Sequence, residues 1–100
     1  MKISIIIATY NSEHDIQNCL TSLMNQSSNL FEVIIIDGDS SDNTKEIIKN
    51  NSIVTYFLSE TDNGIYDAWN KGLKVVNSEW VMFLGSDDTL EELTIEKYIH

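Results

Sequence analysis

Residues 80–89 read WVMFLGSDDT, a short apolar run that delivers two adjacent carboxylates to its C-terminal end. Trp80, Val81, Met82, Phe83 and Leu84 have the unbroken apolar character of a buried strand, and Gly85 and Ser86 interrupt it. Asp87 and Asp88 then fall where a parallel strand leaves its sheet, which is where open α/β sheets bind ligands. Neighbouring carboxylates repel one another unless a cation shares the site, and a hard, oxygen-seeking ion is the simplest resolution. The plainer alternative is that Ser-Asp-Asp starts a helix, because Asp is favoured in turns and at N-caps. The position of the pair after an apolar strand, and similar acidic turns upstream, favour ligand binding.

Upstream, residues 2–9 (KISIIIAT) form a β-branched run without alternation, as expected of a central strand covered on both faces. Tyr10-Asn11 makes the turn out of it. Ser12-Glu13-His14-Asp15 resembles a capping box with Asp in the place of Glu or Gln, and Ile16, Cys19, Leu20, Leu23 and Met24 follow at helical spacing. Cys19 lies on that apolar stripe and is read as a small core hydrophobe. After a polar connection over 25–29, residues 31–37 (FEVIIID) give a second buried strand, which also ends in an acid. Residues 38–43 (GDSSDN) are turn formers leading into a short helix over 44–51, and residues 54–59 (VTYFLS) have the mixed pattern of an edge strand. The loop 60–64 precedes a helix whose stripe is Ile65, Ala68, Trp69, Gly72, Leu73 and Val76; Gly72 on that stripe permits close approach to the sheet. A last helix is expected over 90–100. His14 and His100 stand among polar neighbours and are read as surface residues.

Four strand-helix pairs predict an α/β fold, a three-layer α/β/α sandwich with a mainly parallel sheet and right-handed crossovers. The first, second and fourth strands end in polar turns, so Tyr10, Asp37, Gly38, Asp39, Asp87 and Asp88 are expected to converge on one crevice.

One hundred residues, 42% hydrophobic and 22% charged, are enough for one small domain. The net charge of −10, with six basic residues among sixteen acidic ones, excludes a nucleic-acid surface and requires a metal intermediary for any anionic substrate. A single cysteine forms no internal disulfide, and no run reads as a signal peptide or spanning helix, which together point to a cytoplasmic setting. Neither G-x-G-x-x-G nor a Walker A pattern is present, so no glycine-rich loop cradles phosphates. A diphosphate can instead be held through a divalent cation on Asp88, with Tyr10 stacking on a base and acids of the second turn accepting from base N–H groups or ribose hydroxyls.

The segments 5–11 (IIIATYN), 35–44 (IIDGDSSDNT) and 83–88 (FLGSDD), in this order and spacing, resemble the family 2 glycosyltransferases, and 62–72 (DNGIYDAWNKG) looks like the branch that makes bacterial polysaccharides. The resemblance covers essentially the whole chain. It implies the nucleotide-binding half of a GT-A fold, a nucleotide-diphosphate sugar donor, commonly a UDP-sugar, Mn²⁺ or Mg²⁺, and inverting transfer to a saccharide or lipid-linked acceptor. By position, Thr9, Tyr10 and Glu13 would border the nucleoside, Asp37, Gly38 and Asp39 would face uracil or ribose, Asp87 would contact ribose or sugar, and Asp88 would bind the metal. Three departures stand out. Gly38 replaces an acid common in the family, Trp69 replaces an Arg, which leaves Lys71 or the metal for the diphosphate, and Gly85 or Ser86 holds the first position of the Asp-x-Asp motif.

The family's acceptor half and general base lie downstream of the metal motif, so residues 1–100 read as the donor-binding part of a longer enzyme, cytoplasmic or at the inner face of the membrane. Two rival readings exist. Asp37-Gly38-Asp39-Ser40 after an apolar strand looks like the nucleophile motif of a haloacid-dehalogenase-type phosphatase, with Asp87-Asp88 as its magnesium pair, although that motif normally sits on the first strand. Alternatively the domain only binds nucleotide, or forms a homodimer through an exposed sheet edge.

Overall fold

A computed structural model describes residues 3–27, 29–92 and 94–99 of the chain. The element order is β1 (Ile3–Thr9), α1 (Ile16–Met24), β2 (Phe31–Asp37), α2 (Thr44–Lys49), β3 (Tyr56–Ser59), α3 (Ile65–Leu73), β4 (Trp80–Gly85) and α4 (Thr94–Ile99). The strands form one parallel sheet in the order β3-β2-β1-β4. The chain moves outward from β1 to β3 and then returns past β1 to β4, so α3 crosses the face opposite to α1 and α2.

The isoleucine runs explain the layers. Side chains alternate across a strand, so Ile5, Ile7, Val33 and Ile35 pack on one face with Ile16, Cys19, Leu20 and Leu23 of α1, Ile48 of α2 and Ile95 of α4. Ile6, Ile34 and Ile36 pack on the other with Ala68 of α3. Ile5, Ile6, Ile7, Ile34, Ile35 and Ile36 are all fully buried, each contributing about 1.5–3 kcal/mol of transfer free energy. Gly72 lets α3 settle on β1, because a Cβ there would lie 2.6 Å from Ile6 Cγ2. Trp69 turns its ring onto Phe83, with centroids 4.8 Å apart, and meets the edge of Tyr66.

Buried polar groups tie the elements together. Glu32 in β2 accepts from Ser4 Oγ at 2.9 Å and from the backbone N–H of Asn77 at 3.3 Å, joining β1 and β2 to the approach to β4. Gln26, just past α1, donates to the carbonyl of Glu91 at 2.8 Å and accepts from the N–H of Ile95 at 3.0 Å, anchoring the start of α4.

Several expectations are corrected. β4 is an outer strand, not a buried one: Trp80 is 56% and Phe83 42% exposed, and only Leu84 of its apolar run is buried. The capping box does not form. Asp15 is the N-cap of α1 without a side-chain bond, and the Ser12 hydroxyl turns instead toward Ser86. Met24, Ile65 and Leu73 are exposed, since α1 and α3 bury narrower faces than their stripes suggest. β3 and α4 are shorter than expected, α2 stops at Lys49 and α3 stops before Val76. His14 is exposed as expected, whereas His100 and Lys2 lie outside the described residues. Among the described residues, no helix is long and apolar enough to cross a membrane.

Candidate nucleotide-binding site

Three strands end together around one carboxylate. Asp37 pairs in register with Thr9 of β1 on one side and Ser59 of β3 on the other, and it is fully buried. Its Oδ1 accepts from Thr9 Oγ1 at 2.7 Å and Ser40 Oγ at 2.6 Å; its Oδ2 accepts from the Ser40 N–H at 2.8 Å and Ser59 Oγ at 2.8 Å. Burial pushes the acid up, but the donors of Ser40, Thr9 and Ser59 outweigh it and hold the Asp37 carboxyl below the usual carboxylate range. The expectation that Asp37 faces a nucleoside is thereby corrected: its acceptor positions are engaged inside the fold. The same burial argues against the phosphatase reading, whose nucleophile must reach substrate.

The turns after β1 and β2 lock onto each other above this hub. Asn11 (φ 47°) and Asp39 (φ 62°) are both left-handed, a conformation that Asn and Asp tolerate better than other side chains with a Cβ. The Asn11 N–H donates to Ser40 Oγ at 2.8 Å, Asn11 Oδ1 accepts from the Ser41 N–H at 2.9 Å, and the Ser12 N–H donates to Thr44 Oγ1 at 2.7 Å.

Beside the hub opens a cleft of about 580 Å³, lined by Ala8, Thr9 and Tyr10 after β1, Gly38 and Asp39 after β2, and Thr61, Asp62, Gly64, Ile65 and Ala68 before and within α3. Tyr10 is 65% exposed, offering its ring to the cleft. Asp39 also lines it, with Oδ1 paired to Lys45. Thr9, Tyr10, Gly38 and Asp39 are thus brought together as expected. Thr61, Asp62, Gly64 and Ile65 were not anticipated as cleft residues; the sequence signals for them are the loop 60–64, polar and without an evident turn type, and the family-like segment 62–72.

Glu13 and Lys71 are placed elsewhere. Glu13 faces α2, accepting from the Asn43 N–H at 3.1 Å. Lys71 pairs with Glu60 at 3.2 Å and Asp67 at 3.4 Å and donates to the Thr61 carbonyl at 3.1 Å. Burial pulls its ammonium down, but Glu60 and Asp67 more than offset this and hold it above its ordinary value. Lys71 therefore staples the loop before α3 and is not directed at a diphosphate in this conformation.

Asp87 and Asp88 follow β4, on the opposite side of β1 from Gly38, since Ala8 pairs with Gly85 and Thr9 with Asp37. Strand spacing puts the ends of β2 and β4 roughly 10 Å apart, and the acidic pair does not line the cleft. Both acids are exposed. Asp88 Oδ2 accepts from the Gly85 N–H at 3.0 Å. A Cβ on Gly85 would lie 2.8 Å from Asp88 Oδ2 and 3.0 Å from Asp87 Oδ1. Glycine thus leaves a small cradle bordered by two carboxylate oxygens, a donor set that suits a hard cation but falls short of the six or more oxygens such ions take. Among the described residues no group of three or more His, Cys, Asp or Glu surrounds a common point, so Mn²⁺ or Mg²⁺ held here would draw its remaining ligands from a diphosphate or water. Cys19 lies beneath this loop, its Sγ 3.8 Å from the Gly85 carbonyl. Burial, reinforced by Asp88 and Asp87, pushes its thiol up to about 12, so it is the inert core residue expected.

A family model described as glycosyl transferase family 2 matches residues 4–100. The chain belongs to this family. A PGL/p-HBAD biosynthesis glycosyltransferase of Mycobacterium bovis is 38% identical to this family 2 chain over 93 residues, 89% of the chain and 36% of the relative. The uncharacterized glycosyltransferase YibD of Escherichia coli is 36% identical over 90 residues, 87% of the chain and 26% of the relative. Among solved structures, Staphylococcus aureus TarS 1-349 in complex with UDP-GlcNAc superposes with a TM-score of 0.91 at 32% identity, over 99% of this chain and 30% of that one. The fold is therefore that of the GT-A glycosyltransferases, and this family 2 glycosyltransferase chain spans between 26% and 36% of the length of these three proteins.

Proposed function

We propose that this chain is the donor-binding part of a metal-assisted glycosyltransferase that takes a nucleotide-diphosphate sugar, a UDP-sugar by preference, and transfers the sugar with inversion to a saccharide or lipid-linked acceptor. The observation that carries this reading is the cleft between Tyr10, Gly38 and the loop before α3, which lies across the end of β1 from the acidic pair after β4. The TarS fragment with which the chain aligns almost throughout was solved with UDP-GlcNAc, which supports the donor class.

In this reading the nucleoside enters the cleft with its base against Tyr10. Asp39 and the Thr9 turn border the nucleoside. The diphosphate runs across the end of β1 toward Asp87 and Asp88, which are the residues that would hold Mn²⁺ or Mg²⁺. When bound, that cation neutralises charge on the departing diphosphate. Asp87 and Asp88 alone would repel the phosphates, as would the −10 chain as a whole. Asp37 takes no direct part; it fixes the strand ends on which Thr9, Gly38 and the Asp39 turn stand. Acceptor and general base are assigned to the part of the relatives that the chain does not match.

Titration calorimetry with UDP, in Mn²⁺ and in EDTA, tests the proposal. Binding in Mn²⁺ that weakens at least about tenfold in EDTA is expected, since one lost charge-assisted contact is worth that much. Equal affinity in both removes the metal, and no binding by the folded chain removes the donor site.

A further inference from the structure

The glycine at position 38 is not there for its backbone. Its φ lies outside the left-handed region, where glycine alone is at ease, and its N–H makes an ordinary bond to the Thr9 carbonyl at 2.9 Å. What the missing side chain leaves is room. A Cβ at Gly38 would stand 3.0 Å from Asp62 Oδ2, 3.2 Å from Asp62 Oδ1 and 3.3 Å from Asp62 Cγ. The Asp62 carboxylate fills the space that a side chain on the β2 turn would occupy.

That carboxylate is held in place. Asp62 Oδ1 accepts from the Gly64 N–H at 3.1 Å, and the loop carrying it is fastened to α3 by Lys71 through Thr61 and to β2 by the Glu60 N–H on the Asp37 carbonyl at 3.0 Å. Asp62 is half-buried, lines the same cleft as Tyr10, and its Oδ2 accepts no hydrogen bond from any described residue. The other cleft acid, Asp39, already spends Oδ1 on Lys45. An ionised carboxylate only accepts, and it repels phosphate, so its partner on a ligand is an N–H or O–H of the nucleoside.

We infer that Asp62 is the acid that selects the nucleobase: it accepts the imide N–H of a uracil stacked on Tyr10, and Gly38 exists to let it reach that position. This assignment rests on the donor-binding reading above. A uracil ring offers an N–H to Oδ2, whereas cytosine presents an unprotonated ring nitrogen at the same place, which faces the carboxylate lone pair to lone pair. Asp62 is a binding and specificity residue, remote from the acidic pair after β4.

The test is calorimetric titration of the folded chain with UDP and with CDP, both in Mn²⁺. The wild type is expected to prefer UDP by about tenfold or more, the scale of a hydrogen bond to a charged group. Asp62→Asn, which keeps an acceptor for the Gly64 N–H and so the loop, should erase most of that preference. Gly38→Ala should act in the same direction by displacing Asp62, and Gly38→Asp combined with Asp62→Gly should restore the preference by returning a carboxylate to the same space. An Asp62→Asn variant with the wild-type ratio overturns the assignment while leaving UDP binding, and the donor site, standing. A double variant no better than Asp62→Asn overturns the shared-space argument. A folded wild type that binds neither nucleotide removes the donor-binding reading and this inference together.

Discussion

The hydroxyl oxygens of Ser12 and Ser86 lie 2.8 Å apart, joining the turn after β1 to the turn after β4 across 74 positions of sequence. This contact, with Asp88 bonded back to the Gly85 N–H, gives the acidic pair a defined place although both its carboxylates face solvent. Ser86→Ala should therefore cost only about 1 kcal/mol of stability but loosen the loop. Urea unfolding and the Mn²⁺ dependence of UDP binding should move unequally, the second more than the first.

Asp88→Asn should remove metal-dependent UDP binding and leave stability within about 0.5 kcal/mol, as for an exposed substitution that keeps its acceptor for Gly85. It also relieves repulsion with Asp87. Should the variant unfold instead, the pair is structural and the metal assignment fails.

Asp37→Asn should be the most damaging single change near the cleft. The new amide presents two donors to a site that already supplies four, and while the hydroxyls can rotate, the Ser40 N–H cannot. A loss of roughly 2–4 kcal/mol follows from breaking a buried charged network. Because the folded acid is held below its ordinary value, its contribution is present above the unfolded value of about 3.9 and is lost as the pH falls through the lower, folded one. Denaturant titrations from pH 6 downward should show the wild type losing stability on acidification and the variant showing a shallower acid limb.

Gly72→Ala tests packing against propensity. Alanine gains about 1 kcal/mol as a helix former, yet its methyl would meet Ile6 Cγ2 at 2.6 Å, and overpacking of this kind costs about 1–3 kcal/mol. A lower melting temperature is expected. A rise would mean that α3 can shift off the sheet without loss.

The Cys19 thiol, pushed to about 12, should resist iodoacetamide at pH 8 in the native chain and react promptly in denaturant. Above the ordinary thiol value of 9.0 the unfolded chain ionises first, so Cys19 should also draw stability down between that pH and about 12. Rapid native labelling would show that the loop over it opens freely.

The sheet was legible because β1 and β2 are written in isoleucine without alternation, which only a two-sided core satisfies. Helix α1 was equally plain from Ile16, Cys19, Leu20 and Leu23. The outer position of β4 was not, since an apolar run of that length reads the same in the middle of a sheet and at its side, and Val81, Met82 and Leu84 reach the cores of both faces. At the site, Tyr10, Gly38 and Asp39 could be found as turn residues after apolar strands. Asp37 was misread as a ligand because its engagement depends on Thr9, Ser40 and Ser59, which come from three separate segments. Asp62 escaped notice for the converse reason: its significance lies in a vacancy at Gly38, twenty-four positions earlier.

Asp37 is bonded entirely inward, while Tyr10 and Asp62 carry few contacts that the fold needs. Thr9 alone among these residues belongs to both. Change at Tyr10 and Asp62 should thus cost little folding stability, whereas change at Asp37 should cost the roughly 2–4 kcal/mol of its buried network. On the donor-binding proposal, a lineage that inherits this framework could exchange one donor for another by substitutions at the mouth of the cleft, each intermediate remaining foldable. If the cleft binds the donor as proposed, laboratory selection for a new donor should accordingly recover substitutions at 10 and 62, where the backbone is not left-handed, and leave 37 untouched.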